Sequence, residues 1–165
     1  MIRIMIAAIA FLLSFAPRPA EALLCHAIFG CSCNVTATPM NFGSINPLLN
    51  TATTAQADVS VSCTGVIDAL PVVYARIGAG SHGAIANRQM RSTAGDQIGY
   101  NIYSSSNYTT VLGEGSGGYP MLAISGGLLT VGNWNATVTM HGRIPATTTA
   151  RPGDYSDTVI VRIDW

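Results

Sequence analysis

The stretch "RPGDYSDTVIVRIDW" (151–165) decides the fold, because it joins a turn to a clear strand pattern. Its Pro-Gly-Asp triplet consists of residue types that are typical of turns. After the turn, every second residue belongs to a mostly apolar set, while the residues between them are mostly polar. The apolar set is Tyr155, Asp157, Val159, Val161, Ile163 and Trp165. This period of two predicts a strand that buries one face and runs through to Trp165.

Short segments with the same alternation recur along the chain and are separated by Gly, Pro, Asn and Ser. They predict strands over 33–43, 56–65, 71–78, 97–105, 135–146 and 155–165, and a short strand near 111. The stretch 78–96 is predicted to be a long irregular connection. No segment combines a helical period with capping residues. About seven strands at this spacing predict one all-β domain, an antiparallel sandwich of the immunoglobulin type.

The first residues have the features of a secretory signal peptide. Arg3 precedes the apolar run 5–16, and Ala20-Glu21-Ala22 is a small-residue cleavage pattern. We therefore expect a signal peptide over 1–22, a short segment over 23–32 and a domain over 33–165. The apolar run is too short to span a bilayer, and no later segment has eighteen apolar residues in a row. We expect a secreted protein without a membrane span after cleavage.

Charge and cysteine content narrow the possible partners and sites. The chain of 165 residues has no Lys, a formal net charge of zero and 10% charged residues. A phosphate-binding surface needs a basic cluster, so nucleic acid is not expected as a partner. The four cysteines are Cys25, Cys31, Cys33 and Cys63, and an even number in a secreted chain predicts disulfides rather than a metal site. Three pairings are possible, and Cys33–Cys63 with Cys25–Cys31 is favoured.

No constellation of residues predicts catalysis or a cofactor. "GAGSHG" (78–83) matches a dinucleotide-binding pattern, but it does not open a helix within a parallel sheet, so it is interpreted as a loop. No Ser has the nucleophile-elbow pattern that His82 or His141 would need for hydrolysis. A polar turn and a solvent face account for three acidic residues near the chain end: Asp154, Asp157 and Asp164. We expect no enzyme, no cofactor and no metal.

Several stretches together resemble the spore coat protein U domain family. They are "CNVTATPMNFGSINPL", "VSVSCTG", "NRQM", "IGYNIYSSSN", "GRIPA" and "RPGDYSDTVIVRIDW". The resemblance is most specific in the last two and covers about residues 33 to 165. Domains of this family also form the subunits of archaic chaperone–usher pili.

The resemblance implies a sandwich that lacks its last strand and is completed by a donor strand from a periplasmic chaperone or from the next subunit. It implies a disulfide between Cys33 and Cys63. It also implies assembly through an outer-membrane usher, passage through the periplasm, and a final place on the cell surface or in an extracellular fibre. The residues expected to contact the donor strand are Val159, Val161, Ile163 and Trp165. The segment 23–32 is either the donor strand of this chain or a small disulfide loop.

A second hypothesis is a self-contained secreted binding module for glycans or surface proteins, such as the adhesive tip of a pilus. Aromatic side chains on loops suit such contacts. The candidates are Tyr103, Tyr108, Tyr119 and Trp134.

Overall fold

The computed structural model describes residues 32–127, 129–147 and 149–164. The expected signal peptide, the segment before Ser32 with Cys25 and Cys31, and Trp165 lie outside these residues. The strands are β1 Ser32–Ala37, β2 Thr53–Asp68, β3 Val72–Ile77, β4 Gly83–Ala84, β5 Asn87–Ser92, β6 Gln97–Tyr103, β7 Leu122–Ser125, β8 Thr130–Ile144, β9 Tyr155–Ser156 and β10 Val161–Asp164. A 3₁₀ turn covers Pro47–Leu49. Within the described ranges, no helix is long and apolar enough to cross a membrane.

The strands form two antiparallel sheets. The larger sheet has the order β1-β2-β8-β6-β5-β4, with β9 also paired to β5, and the smaller sheet has the order β10-β3-β7. The predicted immunoglobulin-like sandwich is therefore confirmed. Its core forms where the inner faces of the two sheets meet, because alternate residues of each strand point inward. On β2, for example, Ala57, Val59, Val61 and Cys63 are buried while their neighbours are more exposed.

The closing strand is divided between the two sheets, although the sequence predicted one continuous strand over 155–165. Its first part, β9, pairs with β5 in the larger sheet, and its second part, β10, pairs with β3 in the smaller sheet. Residues 157–160 form the crossover between them. The predicted alternation still holds through the crossover, since Tyr155 to Ile163 alternate between half-buried and exposed side chains.

The prediction of an irregular connection over 78–96 is wrong, because this stretch contains β4 and β5. On β5 the inward residues are Arg88, Met90 and Ser92, all of them buried. A polar residue at two of the three inward positions hides the apolar period on which sequence reasoning depends. The strand β7 was also missed, and the short strand predicted near 111 is reduced to one bridge between Val111 and Tyr103.

Candidate functional site: a groove between two edge strands

Two strands on the same side of the sandwich each have an edge that no other described strand uses. Among the described strands, β1 pairs only with β2, and β10 pairs only with β3. The two strands belong to different sheets, and no backbone pairing joins them. Each therefore presents backbone N–H and C=O groups that another strand could pair with.

A cleft of about 440 Å³ opens between these edges. The segment 37–42, which follows β1, forms one wall, and the segment 155–161 forms the other. The floor comes from inward side chains of both sheets and is mostly apolar: Ala57, Ile77, Met90, Tyr100, Ile102 and Met140. We call this cleft the groove. An apolar floor between two unpaired edges has the surface chemistry that an amphipathic strand would cover.

A second cavity of about 630 Å³ continues the groove toward one end of the sandwich. It lies between the segment 39–47 and the loop 150–155, and shares Met40, Phe42 and Tyr155 with the groove. The two cavities are therefore adjacent.

The structure places the predicted donor-strand contacts in different positions. Val159 and Val161 line the groove. Ile163 lies opposite Ala75 on β3 and packs against the core, outside the groove lining. Trp165 lies outside the described residues. Sequence reasoning missed Met40, Phe42 and Met90, although Met40 and Phe42 alternate with Asn41 in "TPMNFG" (38–43), a signal that could have identified two of the three.

One wall of the groove depends on a close approach between the segment 38–43 and β8. A Cβ atom at Gly142 would meet the thioether sulfur of Met40 and, at 2.7 Å, the ring of Phe42. The ring of Phe42 also packs edge-to-face on Tyr100, with ring centres 5.9 Å apart. Gly142 therefore leaves the inner face of β8 open for two apolar side chains that form this wall.

The disulfide Cys33–Cys63 joins β1 to β2 at directly opposite positions. Cys63 is fully buried, while Cys33 is only half-buried and packs against the core. The bond therefore ties an edge strand of the sandwich to its neighbour.

The opposite wall is held by the buried carboxylate of Asp157 at the crossover. Its side chain is 2% exposed. It accepts hydrogen bonds from the hydroxyl of Tyr100 at 2.7 Å, from the backbone N–H of Ser81 at 2.8 Å and from that of Thr158 at 2.9 Å. The assignment of Asp157 to a solvent face was therefore wrong. Asp154 lies in the exposed turn before β9, whereas Asp157 lies beyond β9, where its side chain points inward. The period of two had placed Asp157 in the same set as Tyr155 and Val159, and that position is the one that the structure turns inward.

The "GAGSHG" loop wraps around this carboxylate. A Cβ atom at Gly80 would collide with Oδ2 of Asp157, and Gly80 has a φ of 92°, which favours glycine. The buried Nδ1 atom of His82 lies 3.5 Å from Oδ1 of Asp157 and has no hydrogen-bond partner. Gly80 of this motif thus makes room for the side chain of Asp157.

A buried arginine fixes the base of the same loop. Arg88 is fully buried, and its guanidinium donates to the carbonyl oxygens of Ile77, Gly78 and Leu112 and to the side-chain oxygen of Asn101. Burial lowers the pKa of Arg88, whereas the neighbouring Tyr100, Asp157 and Glu114 act in the opposite direction. Arg88 therefore has a structural role: it donates hydrogen bonds to several buried carbonyls that would otherwise lack a donor.

The other candidate residues occupy separate places. Trp134 is not a loop residue: it is buried on β8, and its indole N–H donates to the carbonyl of Gly126 at 2.8 Å. Tyr103 ends β6, and the loop residue Tyr108 packs edge-to-face on it, with ring centres 5.5 Å apart. Tyr119 lies in the Gly-rich turn, where a single bridge pairs it with Ser116.

The two histidines lie on different parts of the molecule. His141 is on β8, beside Gln56 and at 6.5 Å from the ring centre of Tyr108. His82 lies in the loop that follows β3, next to Asp157. Neither forms a hydrogen bond with a serine hydroxyl among the described residues, and no three His, Cys, Asp or Glu side chains there come close enough to share a metal ion.

Comparison with known proteins gives two findings. A family model described as the Spore Coat Protein U domain matches residues 21–162. Eleven chains of solved structures also match. No curated protein sequence matches significantly.

One of these solved structures is the CsuC-CsuE chaperone-tip adhesion subunit pre-assembly complex from archaic chaperone-usher Csu pili of Acinetobacter baumannii. The matched chain is 19% identical over 82% of the present chain, with a TM-score of 0.50. The present chain spans 40% of that chain's length. This likeness supports the fold.

Proposed function

The chain belongs to the spore coat protein U domain family, and from this premise we propose that it is a structural subunit of a chaperone–usher pilus or surface coat. In this proposal the subunit is incomplete on its own. A strand from a periplasmic chaperone fills its groove first, and a strand from a neighbouring subunit replaces it in the fibre. The subunit then reaches the cell surface through an outer-membrane usher.

The observation that carries this proposal is the pair of unused edges, β1 and β10, on either side of an apolar groove. An added strand would pair with both edges and cover Val159, Val161 and the floor side chains. Main-chain hydrogen bonds would supply affinity, and alternate side chains in the groove would supply specificity. The solved chaperone–subunit complex with a similar fold supports a chaperone as the first occupant.

The test is expression of the full chain, with its own signal segment, in an oxidising compartment with and without the cognate chaperone. We expect soluble, folded protein only with the chaperone, because an open apolar groove between two edges promotes aggregation. A stable monomer obtained without the chaperone, with fully protected β10 amides, would contradict the proposal.

Two neighbouring residues provide a matched pair of variants. Val161→Arg places a charge in the groove, whereas Ile160→Arg places the same charge on an outward side chain that is 56% exposed. We expect the first variant to lose co-purification with the chaperone and the second to retain it. Equal loss in both would indicate a general folding defect and would remove this support for the groove.

A second function, attachment to a surface, is favoured by one cluster. The guanidinium of Arg143 lies 5.4 Å above the ring of Tyr108, a bulky residue with a φ of 55°. Backbone strain of this kind is concentrated at functional sites. Loss of binding to immobilised acidic glycans in Tyr108→Ala and Arg143→Ala, with assembly intact, would support this role. Unchanged binding in both would exclude this cluster.

A further inference from the structure

The outer face of the larger sheet carries a group of aromatic and polar side chains. Tyr103 on β6 and Gln56 on β2 are the two cross-strand partners of His141 on β8. Arg143 lies two residues further along β8, and its guanidinium is 5.4 Å from the ring centre of Tyr108. The ring of Tyr108 packs edge-to-face on Tyr103 and on His141, with ring centres 5.5 and 6.5 Å apart. We call these five residues the outer patch.

The outer patch lies on the opposite face of β8 from the groove. His141 and Arg143 alternate along this strand with Met140 and Gly142, and successive side chains of a strand point to opposite faces. Met140 belongs to the groove floor, and a Cβ atom at Gly142 would meet the wall residue Met40. The sheet therefore separates the patch from the groove, and a strand that fills the groove leaves the patch exposed.

The loop 104–110 holds Tyr108 in position. Tyr108 has a φ of 55°, which is uncommon for a bulky residue. Its N–H donates to the carbonyl of Ser105 at 3.2 Å. The side-chain oxygen of Asn107 accepts hydrogen bonds from the hydroxyl of Ser105 and from the N–H and hydroxyl of Thr109. The ring is thus preorganised, which reduces the entropy lost when a ligand binds.

The outer patch contains hydrogen-bonding groups that the described part of the chain does not use. The hydroxyls of Tyr103 and Tyr108 have no hydrogen-bond partner among the described residues, and Arg143 has no carboxylate partner there. Gln56 contacts Nδ1 of His141 at 3.5 Å, which leaves Nε2 free to meet another group. Several donors therefore converge on one half-buried spot around a single cation.

An unpaired guanidinium beside phenol rings fits an acidic sugar. Two other arginines, Arg76 and Arg151, are already paired with Asp164 and Asp96. A carboxylate can accept two parallel hydrogen bonds from a guanidinium, and aromatic rings offer apolar area to the C–H faces of a sugar. Nucleic acids and anionic lipid surfaces are recognised by clusters of cations instead. The outer patch has one arginine and no lysine, so it favours a ligand with separated carboxylates.

We propose that the outer patch binds a uronate carboxylate of a linear acidic polysaccharide, and that every subunit of a fibre displays this site. This inference rests on the proposed function, because the repetition requires assembly through the groove. Attachment then depends on the whole length of the fibre rather than on its end. Linked sites that bind one polymer together gain about 10²- to 10⁴-fold in avidity.

The single site is measured on the one-to-one complex of the full chain with its chaperone, with an oligomer of galacturonate as the probe. The same oligomer with its carboxylates reduced to alcohols is the matched ligand control. We expect the acidic oligomer to bind about tenfold more tightly than the reduced one, as for a hydrogen-bonded charge. Equal binding of both oligomers, or equal binding by the chaperone alone, would overturn the proposal.

Three variants locate the site on the chain. Arg143→Ala and Tyr108→Asn should each weaken binding about tenfold. Asn tolerates the left-handed conformation at position 108, so this variant removes the ring without adding backbone strain. Arg91→Ala removes an exposed guanidinium from β5 of the same sheet and should leave binding unchanged within about twofold. Unchanged binding in either patch variant, or equal loss in all three, would overturn the proposal.

Assembled fibres test the repeated display, with long-chain polygalacturonate as the probe. We expect fibres to bind at least about 100-fold more tightly per subunit than the chaperone complex does. Fibres that bind no more tightly than the complex would overturn the repeated display. If fibres form but neither they nor the complex binds, the patch is wrong and the proposed function stands. If the complex binds the oligomer but no fibres form, the proposed function fails and the repeated display fails with it.

Discussion

The hydroxyl of Tyr100 donates a hydrogen bond of 2.7 Å to the buried carboxylate of Asp157. Tyr100 lies on β6 of the larger sheet, whereas Asp157 lies in the crossover that leads to the smaller sheet. The same carboxylate accepts from the N–H of Ser81, in the loop after β3. One side chain therefore links both sheets beside the groove and fixes where the closing segment changes sheet.

Tyr100→Phe should destabilise the protein by about 1–3 kcal/mol, because it removes one donor from a buried carboxylate. Burial, followed by the hydrogen bond to Asp157, raises the pKa of Tyr100 above its usual value of about 10. Since the folded state retains this proton when the unfolded state loses it, this contribution is complete below about pH 10 and falls as the pH rises further. Urea unfolding at pH 7 and above pH 10 should show a smaller alkaline loss in the variant. An identical loss in both proteins would exclude this role of Tyr100.

Gly80→Ala should lower stability strongly and displace the 157–160 crossover, because its Cβ would collide with the Asp157 carboxylate. Gly118→Ala is the matched control: Gly118 also has a positive φ, 85°, but a Cβ there meets nothing within 4 Å. Both variants share the backbone strain, so their difference in melting temperature isolates the collision. Equal melting temperatures would show that the carboxylate moves without penalty.

Arg88→Met should cause severe destabilisation, because it leaves the carbonyls of Ile77, Gly78 and Leu112 without a donor in the interior. Arg91→Met, on the exposed face of the same strand, should change stability by less than about 0.5 kcal/mol. Denaturant unfolding of both variants measures the difference. A small effect at Arg88 would show that water replaces the guanidinium at these carbonyls.

The sandwich could be predicted from the sequence because its longest strands alternate clearly. Val59 and Val61 on β2, and Met140 on β8, carry the period of two that indicates a buried face. The strand β5 could not be found this way, because Arg88 occupies an inward position and is accommodated there only through the hydrogen bonds that it donates to carbonyls of distant loops. A local pattern does not reveal partners that tertiary packing brings together.

The groove was predicted only in part for a similar reason. Val159 and Val161 follow the alternation of the last segment, so their inward direction could be predicted. Met40 and Phe42 follow Pro39 in a segment without regular structure, and their position depends on the absence of a side chain at Gly142. The role of Asp157 was missed because an acidic residue after a turn is ordinarily solvated.

The most direct test of the open groove is hydrogen exchange on the chaperone-released subunit, measured with and without a peptide of residues 23–31. We predict slow exchange in β2 and β8 in both states. The outward-facing edge amides of β1 and β10 should exchange rapidly in the free subunit and become protected when the peptide binds, with a rise in melting temperature. Edges already protected in the free subunit, with no change on adding the peptide, would contradict the account.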